Sequence, residues 1–229
     1  MATFVLVPGA GGGTWFWHKL IPELKARGHQ AIPVDLPTGD ESAGLKEYAD
    51  TIVATGQNKG PVVLVAQSMA GFSAPMACDR LPVELLVLVN PMVPAPGETP
   101  GEYWTNTGQQ QAAAEYAASQ GRPAEFDLIQ TFFHDVLTEI TEEAMAQGEP
   151  PQADKPFSEP WPLTEWPDVA TKFIQGREDR LFPLTFQQRV AKERLGITVD
   201  AIPGGHLNAL SQPAAMANQL TEYVNNKGS

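Results

Sequence analysis

A chain of 229 residues with 42% hydrophobic content is long enough to bury one substantial core, and no repeat or low-complexity tract divides it. Its net charge of −12 argues against nucleic acid as a partner, because phosphate binding draws on clustered Lys and Arg. The longest apolar runs are strand-sized and no basic segment followed by a long apolar one opens the chain, so neither membrane insertion nor export is expected. The single cysteine, Cys78, cannot close an internal disulfide; it fits a cytoplasmic location and reads as a small packed hydrophobe.

In chain order, residues 3–7 read as a strand, 15–26 as a helix closed by Gly28, 30–34 as a strand and 45–55 as a helix. Residues 62–65 and 85–89 are apolar runs of the length and composition of buried strands. The composition then changes. Between Met92 and Pro167 thirteen acids face only Arg122 and Lys155, a net −11, whereas the remainder carries fourteen acids and thirteen bases. Prolines crowd both edges of this stretch, which marks it as an inserted helical cap over 92–167, set into a core made of 1–91 and 168–229. Its helix-like parts are 109–119 and 126–147, the second with an apolar stripe of Phe126, Ile129, Phe132, Phe133, Val136 and Leu137. The acid excess reads as a solvated outer face. Beyond it come a strand at 172–174, a helix at 183–194, a strand at 198–202 and a closing helix at 213–224.

Such alternation implies an α/β fold, a mostly parallel sheet flanked by helices, with ligands gathering beyond the carboxyl ends of the strands. Three strand ends carry chemistry. Ser68 ends the run Val62-Val63-Leu64-Val65-Ala66-Gln67-Ser68-Met69-Ala70-Gly71, a strand, one hydroxyl and then a helix bearing Phe72, Ala74, Met76 and Ala77. Small residues two before and two after the serine, Ala66 and Ala70, suit a tight nucleophile elbow; a serine N-cap is the alternative. Gly176-Arg177-Glu178-Asp179 supplies a carboxylate able to orient a histidine, and Pro203-Gly204-Gly205-His206 supplies the histidine on a glycine-rich loop. The position after the strand at 85–89, Asn90-Pro91, holds no carboxylate.

The order Ser, Asp, His is that of the α/β-hydrolases, and the whole chain resembles that superfamily, in particular its plant methylesterase and hydroxynitrile lyase group. The likeness rests on Phe4-Val5-Leu6-Val7-Pro8-Gly9-Ala10-Gly11-Gly12-Gly13-Thr14-Trp15-Phe16-Trp17, on Gly28-His29 and on Asp35-Leu36, and it fades inside the cap. It implies Ser68 as nucleophile, His206 as general base and acid, Asp179 as the acid that fixes the imidazole, and the N–H groups of Ala10 and Met69 as an oxyanion hole. The family's spacing to the following proline favours Asp179 over Glu178. Pro8 departs from the family's usual histidine at that place.

The reaction so implied is hydrolysis of a small carboxylic ester through an acyl-enzyme, with no cofactor and no metal. The glycines from Gly9 to Gly13 have the density of a dinucleotide-binding turn, but the elbow and the downstream histidine account for them better, and no four-ligand metal spacing or phosphate loop is present. Two alternatives belong to other classes: a carbon–carbon lyase of the hydroxynitrile type, and a non-catalytic ligand-binding protein on a hydrolase scaffold. The resembling lyases carry threonine in place of the first-loop glycine and lysine after the histidine; Gly9 and Leu207 stand there in this chain. Perhydrolase activity can accompany the same machinery. Trp104, Phe132, Phe133 and Trp161 are the candidate pocket wall, suggesting an apolar or aromatic substrate. His18 and His29 read as packing or surface residues, and His134 as structural, with a place on the pocket wall as its alternative. Oligomeric state is left open.

Overall fold

Strands β1 (Thr3–Val7), β2 (Gln30–Pro33), β3 (Val62–Gln67), β4 (Val83–Val89), β5 (Thr171–Gly176) and β6 (Asp200–Ile202) form one sheet in the order β2-β1-β3-β4-β5-β6. Every pairing is parallel. The computed structural model describes residues 1–226. Parallel strands covered on both faces need no polar alternation, which is why β3 and most of β4 read as unbroken apolar runs.

Alternate side chains of these strands feed two cores. Val5, Val7, Leu64, Ala66, Leu86 and Leu88 pack on one face, with α2 (Leu45–Gly56), the short elbow helix α3 (Ala70–Ser73) and, further along the chain, the helix at Leu184–Leu195. Phe4, Leu6, Val63, Val65, Val87 and Val89 pack on the other, against α1 (Leu20–Ala26) and the closing helix at Pro213–Asn225. Among the described residues no helix is long and apolar enough to cross a membrane.

Two expected helices are interrupted, each at a proline. The first begins as a 3₁₀ turn, Thr14–Trp17, and restarts at Leu20 so that Pro22 falls in the first turn of α1, where its missing N–H has no partner to lose. The helix after Ser68 stops at Ser73, and Pro75 opens a 3₁₀ segment, Pro75–Arg80.

The 92–167 segment lies between β4 and β5 and contributes α4 (Pro100–Asn106), α5 (Gln109–Ser119), α6 (Thr138–Ala146) and α7 (Lys155–Ser158). The continuous helix expected over 126–147 is not formed. A π-helical turn, Ile129–Phe133, is followed by an extended Leu137 before α6 begins. Nor is the apolar stripe buried as a helix face would be: Phe126 is 68% and Leu137 59% exposed. A tertiary contact falls at the break: Asp135 accepts from Gly205 N, and His134 lies against the same glycine. The remaining helices are α8 (Leu184–Leu195), α9 (Asn208–Ser211) and α10 (Pro213–Asn225).

Strand order reverses between β1 and β3: from β1 the chain steps outward to β2, then returns to β1's other side. At such a switch point the loops leaving the two strands diverge and open a crevice at their carboxyl ends. Val7 pairs with Ala66, so the Gly9 loop and Ser68 emerge side by side.

Candidate active site

Ser68 adopts φ +52°, a left-handed conformation that costs a non-glycine residue on the order of 1–3 kcal/mol and persists only where surroundings enforce it. Here its N–H donates to Val89 O at 3.0 Å, while its carbonyl accepts from Gly71 N at 3.1 Å and Met92 N at 2.9 Å. The turn is therefore clamped to the end of β4. Ala66 and Ala70 are buried at the crossing, but the tightest approach is one residue further on: a Cβ on Gly71 would lie 1.9 Å from Met92 O. Gly9 meets the same limit from the other side, because a Cβ there would lie 2.4 Å from Gln67 Oε1 and 2.8 Å from Ser68 Cβ. Ala10 and Met69 line one narrow recess together with Gly9, Ala70 and Ser73. Among the described residues no hydrogen bond engages the N–H of Ala10 or of Met69.

Asp179 follows β5 and is fully buried. Its Oδ1 accepts from Leu181 N and Phe182 N, both at 2.9 Å, and its Oδ2 accepts from Gln175 Nε2 at 3.0 Å. The same Oδ2 lies 2.9 Å from His206 Nδ1. A carboxylate only accepts, so this bond puts the imidazole proton on Nδ1 and leaves the Nε2 lone pair free to act as a base. Glu178, the neighbouring alternative, is exposed and accepts from Gly204 N at 2.6 Å instead. The close packing of the two loops needs glycine at 176, where a Cβ would lie 2.3 Å from Gly204 O.

Three amides that sequence reasoning passed over fasten these loops together. Gln67, the last residue of β3, accepts from Gly9 N at 2.9 Å and donates to His206 O at 3.5 Å. Asn90, directly after β4 and itself at φ +45°, accepts from Gly176 N at 2.8 Å and donates to His206 O at 2.8 Å. Gln175 in β5 ties Asp179 to Phe182 O at 2.7 Å. The available signal was a buried-strand pattern ending on an uncharged polar residue in three neighbouring strands.

The candidate pocket residues separate. Phe132 sets its ring edge-on to His206 at 5.4 Å, and Phe182 does the same at 5.4 Å from another side. Trp104 reaches the imidazole only through Phe182, on which it stacks at 5.6 Å. Trp161 is buried in the core, and its indole N–H donates to Phe72 O of the elbow helix at 3.0 Å. Phe133 is half-buried and makes no ring contact with the others among the described residues. Of the remaining histidines, His29 packs edge-on against Phe4 at 5.3 Å and His18 stacks on Trp15 at 4.6 Å. Cys78 is buried, which pushes its thiol up to about 12.

A sheet of this order with a strained serine after β3 and an Asp–His pair beyond β5 and β6 defines the class to which the chain can be compared. The model of the alpha/beta hydrolase family matches residues 4–219, and the chain belongs to that family. Among curated relatives, Methylesterase 7 of Arabidopsis thaliana is 36% identical over 97 residues, 38% of this chain and 37% of that protein. "Probable esterase PIR7A" of Oryza sativa subsp. indica is 32% identical over 111 residues, 43% of this chain and 42% of that protein. Each alignment thus takes in less than half of the relative. Solved structures extend the likeness to the whole fold. Polyneuridine aldehyde esterase superposes with TM-score 0.76 at 21% identity, covering 98% of this chain and 100% of that one. A pyrethroid hydrolase from Sphingobium faniae JZ-2 gives TM-score 0.75 at 20% identity, covering 99% and 98%.

Proposed function

We propose that this chain is a serine hydrolase that cleaves a small carboxylic ester through a covalent acyl-enzyme on Ser68. The observation that carries the reading is the buried Asp179–His206 pair at 2.9 Å, on a loop tied by Gln67 to the elbow that bears Ser68. His206 Nε2 removes the Ser68 hydroxyl proton as Oγ attacks the carbonyl carbon, and Asp179 stabilises the imidazolium that results. The N–H groups of Ala10 and Met69 receive the negative charge on the former carbonyl oxygen, a contribution typically worth ~100-fold or more in turnover per donor. The tetrahedral species expels the alcohol with the proton returned by His206. Water activated by the same base then releases the acid.

The relatives named methylesterase and esterase support the reaction class. Rings of Phe126, Phe132, His206, Phe182 and Trp104 contact one another in sequence at 6.2, 5.4, 5.4 and 5.6 Å, running from an exposed tip to the imidazole, which favours an apolar or aromatic ester. The segment bearing Phe132 acts as the cap over this site. A reducing compartment, the cytoplasm, suits the buried lone thiol of Cys78.

Lyase chemistry of the hydroxynitrile type is disfavoured by Gly9, which has no room for a side chain beside Gln67 and Ser68, and by Leu207, which supplies no ammonium next to His206. The test is a panel of p-nitrophenyl and methyl esters with mandelonitrile as comparator, together with fluorophosphonate labelling. Ester turnover and stoichiometric labelling that both vanish in Ser68→Ala are expected. Cyanide release without ester turnover, or labelling that survives the substitution, overturns the reading.

A further inference from the structure

Asp135 is seventy residues from Gly205 in sequence, yet its Oδ2 accepts from Gly205 N at 2.6 Å. Gly205 immediately precedes His206. Its N–H, held in a buried loop, needs an acceptor, and a carboxylate is the strongest available. The contact is close on both sides: a Cβ on Gly205 would lie 2.7 Å from Asp135 Oδ1 and 2.8 Å from His134 Nε2. Asp135 Oδ1 is buried without a hydrogen-bond partner among the described residues and faces His134 Nε2 at 3.9 Å, so the carboxylate is not held there by a full set of its own bonds. The same turn delivers Phe132 onto the His206 ring at 5.4 Å. One turn of the 92–167 segment therefore touches the histidine loop twice, at the imidazole face and at the preceding backbone amide.

We infer that Asp135 is a positioning residue for His206: the cap carboxylate completes the set of bonds that aims the imidazole, so that seating the cap and assembling the triad are one event. The sheet side of this set is Asn90 and Gln67, both donating to His206 O, and Asp179, which holds Nδ1. None of these reaches the Gly205 N–H. Among the described residues Asp135 alone does so, and it does so from the segment proposed to cap the site. The contact falls at the break between the π-helical turn and α6, where the helix expected over 126–147 is interrupted. Nothing in the step is covalent; the carboxylate acts through the histidine and does not touch the reacting atoms.

The inference rests on the ester-hydrolase reading, but its test does not depend on turnover alone. Asp135→Ala and Asp135→Asn are compared with the parent for kcat and KM on p-nitrophenyl acetate and for the low-field proton resonance of His206 Nδ1–H. A misplacement of about an ångström can cost up to ~100-fold, so Asp135→Ala should lower kcat ~10- to 100-fold with KM moved much less, and should broaden the resonance. Asp135→Asn keeps an oxygen acceptor for Gly205 and should recover most of the loss with a sharp resonance. Gly205→Ala parts the same contact from the other side and should reproduce the kcat loss, which keeps the test open if Asp135→Ala does not fold. A parent-like kcat and resonance in Asp135→Ala, or equal losses in the Ala and Asn variants, overturns the assignment. If the parent itself turns over no ester, the proposed function fails separately, and the resonance still decides the positioning role.

Discussion

Residues 1–91 and 168–229 carry fourteen acids and thirteen bases, and their strands β1, β3 and β4 bury side chains on both faces; residues 92–167 carry thirteen acids and two bases and leave Phe126, Leu128, Leu137 and Met145 exposed. Both regions contribute buried apolar area, since Tyr103, Ile140 and Trp161 of the second join the two cores, but the second also leaves much of its apolar surface outside. At its ends the 92–167 segment is pinned by polar bonds: Gln152 Oε1 accepts from Gly11 N at 2.8 Å, Ala153 N donates to Thr38 O at 2.7 Å, and Glu159 Oε2 accepts from Leu45 N at 2.7 Å. Glu98 pairs with Arg194 of α8; burial alone would raise its carboxyl pKa, but the hydrogen bonds of Arg194 and Asn106 outweigh that and hold it below the usual carboxylate range. The middle of the segment meets the rest of the molecule through Ile140, buried in the second core, and through Phe132 and Asp135 at the His206 loop. The difference suggests a division of labour. A packed sheet can hold three loop ends rigidly, whereas a segment that leaves part of its apolar surface exposed can change that part without unfolding the sheet.

The strongest way to break this division is at the Asp179–His206 pair, which belongs wholly to the sheet region. Asp179→Asn preserves shape but permits the wrong imidazole tautomer, a change that costs on the order of 10⁴ in turnover in serine proteases. Glu178→Gln, which alters an exposed contact to Gly204, should cost far less. Steady-state kinetics on one activated ester separates the two, and the reverse order of damage would move the acid to Glu178.

A smaller effect on stability tests packing directly. Gly71→Ala drives a methyl into Met92 O, a backbone atom 1.9 Å away, and so must displace the exit of β4 or the elbow. Overpacking of this kind costs about 1–3 kcal/mol or more. Leu137→Ser, on the exposed part of the cap segment, should stay within ~0.5 kcal/mol. Chemical denaturation reads both. Equal losses would mean that the 92–167 segment is packed at Leu137 as tightly as the sheet is at Gly71.

Much of the sheet was legible in the sequence for the same reason that it is stable. Apolar runs of strand length separated by helical periods leave few topologies, and glycines at 9, 176 and 205 mark crossings that only a missing Cβ allows. The placement of Ser68, Asp179 and His206 could be read because each follows a strand end. Gln67, Asn90 and Gln175 could not, because an amide inside an apolar run signals only that some partner exists and does not say which. A similar ambiguity hid the break within 126–147. Phe126 to Gln147 has a helical apolar period, but periodicity is blind to a competing tertiary bond, and Asp135 bonds to Gly205 at the break. Trp161 could as well have lined a pocket as supported one; its donor bond to Phe72 O puts it in the core.

The finest test uses one histidine from each region, the first buried and the second half-buried. His29, against Phe4, and His134, against the Gly205 loop, both have pKa values lowered chiefly by burial. For His29 the N-terminal ammonium and Arg27 act in the same direction. For His134 Arg180 also lowers, while Asp135, the Glu178 backbone and Asp179 oppose. A folded-state value below the unfolded one means that the unfolded chain binds protons more readily as pH falls. The contribution to stability is then present above the unfolded value of ~6.5 and is lost as pH drops below it toward the lowered folded value. The melting temperature should therefore decline on acidification through that window, before the carboxylates titrate. His29→Gln and His134→Gln should each flatten the decline within a single transition if cap and sheet unfold together. A His134→Gln effect confined to an earlier, separate transition would show that the cap melts on its own, and would loosen the link between cap seating and the triad that Asp135 is inferred to make.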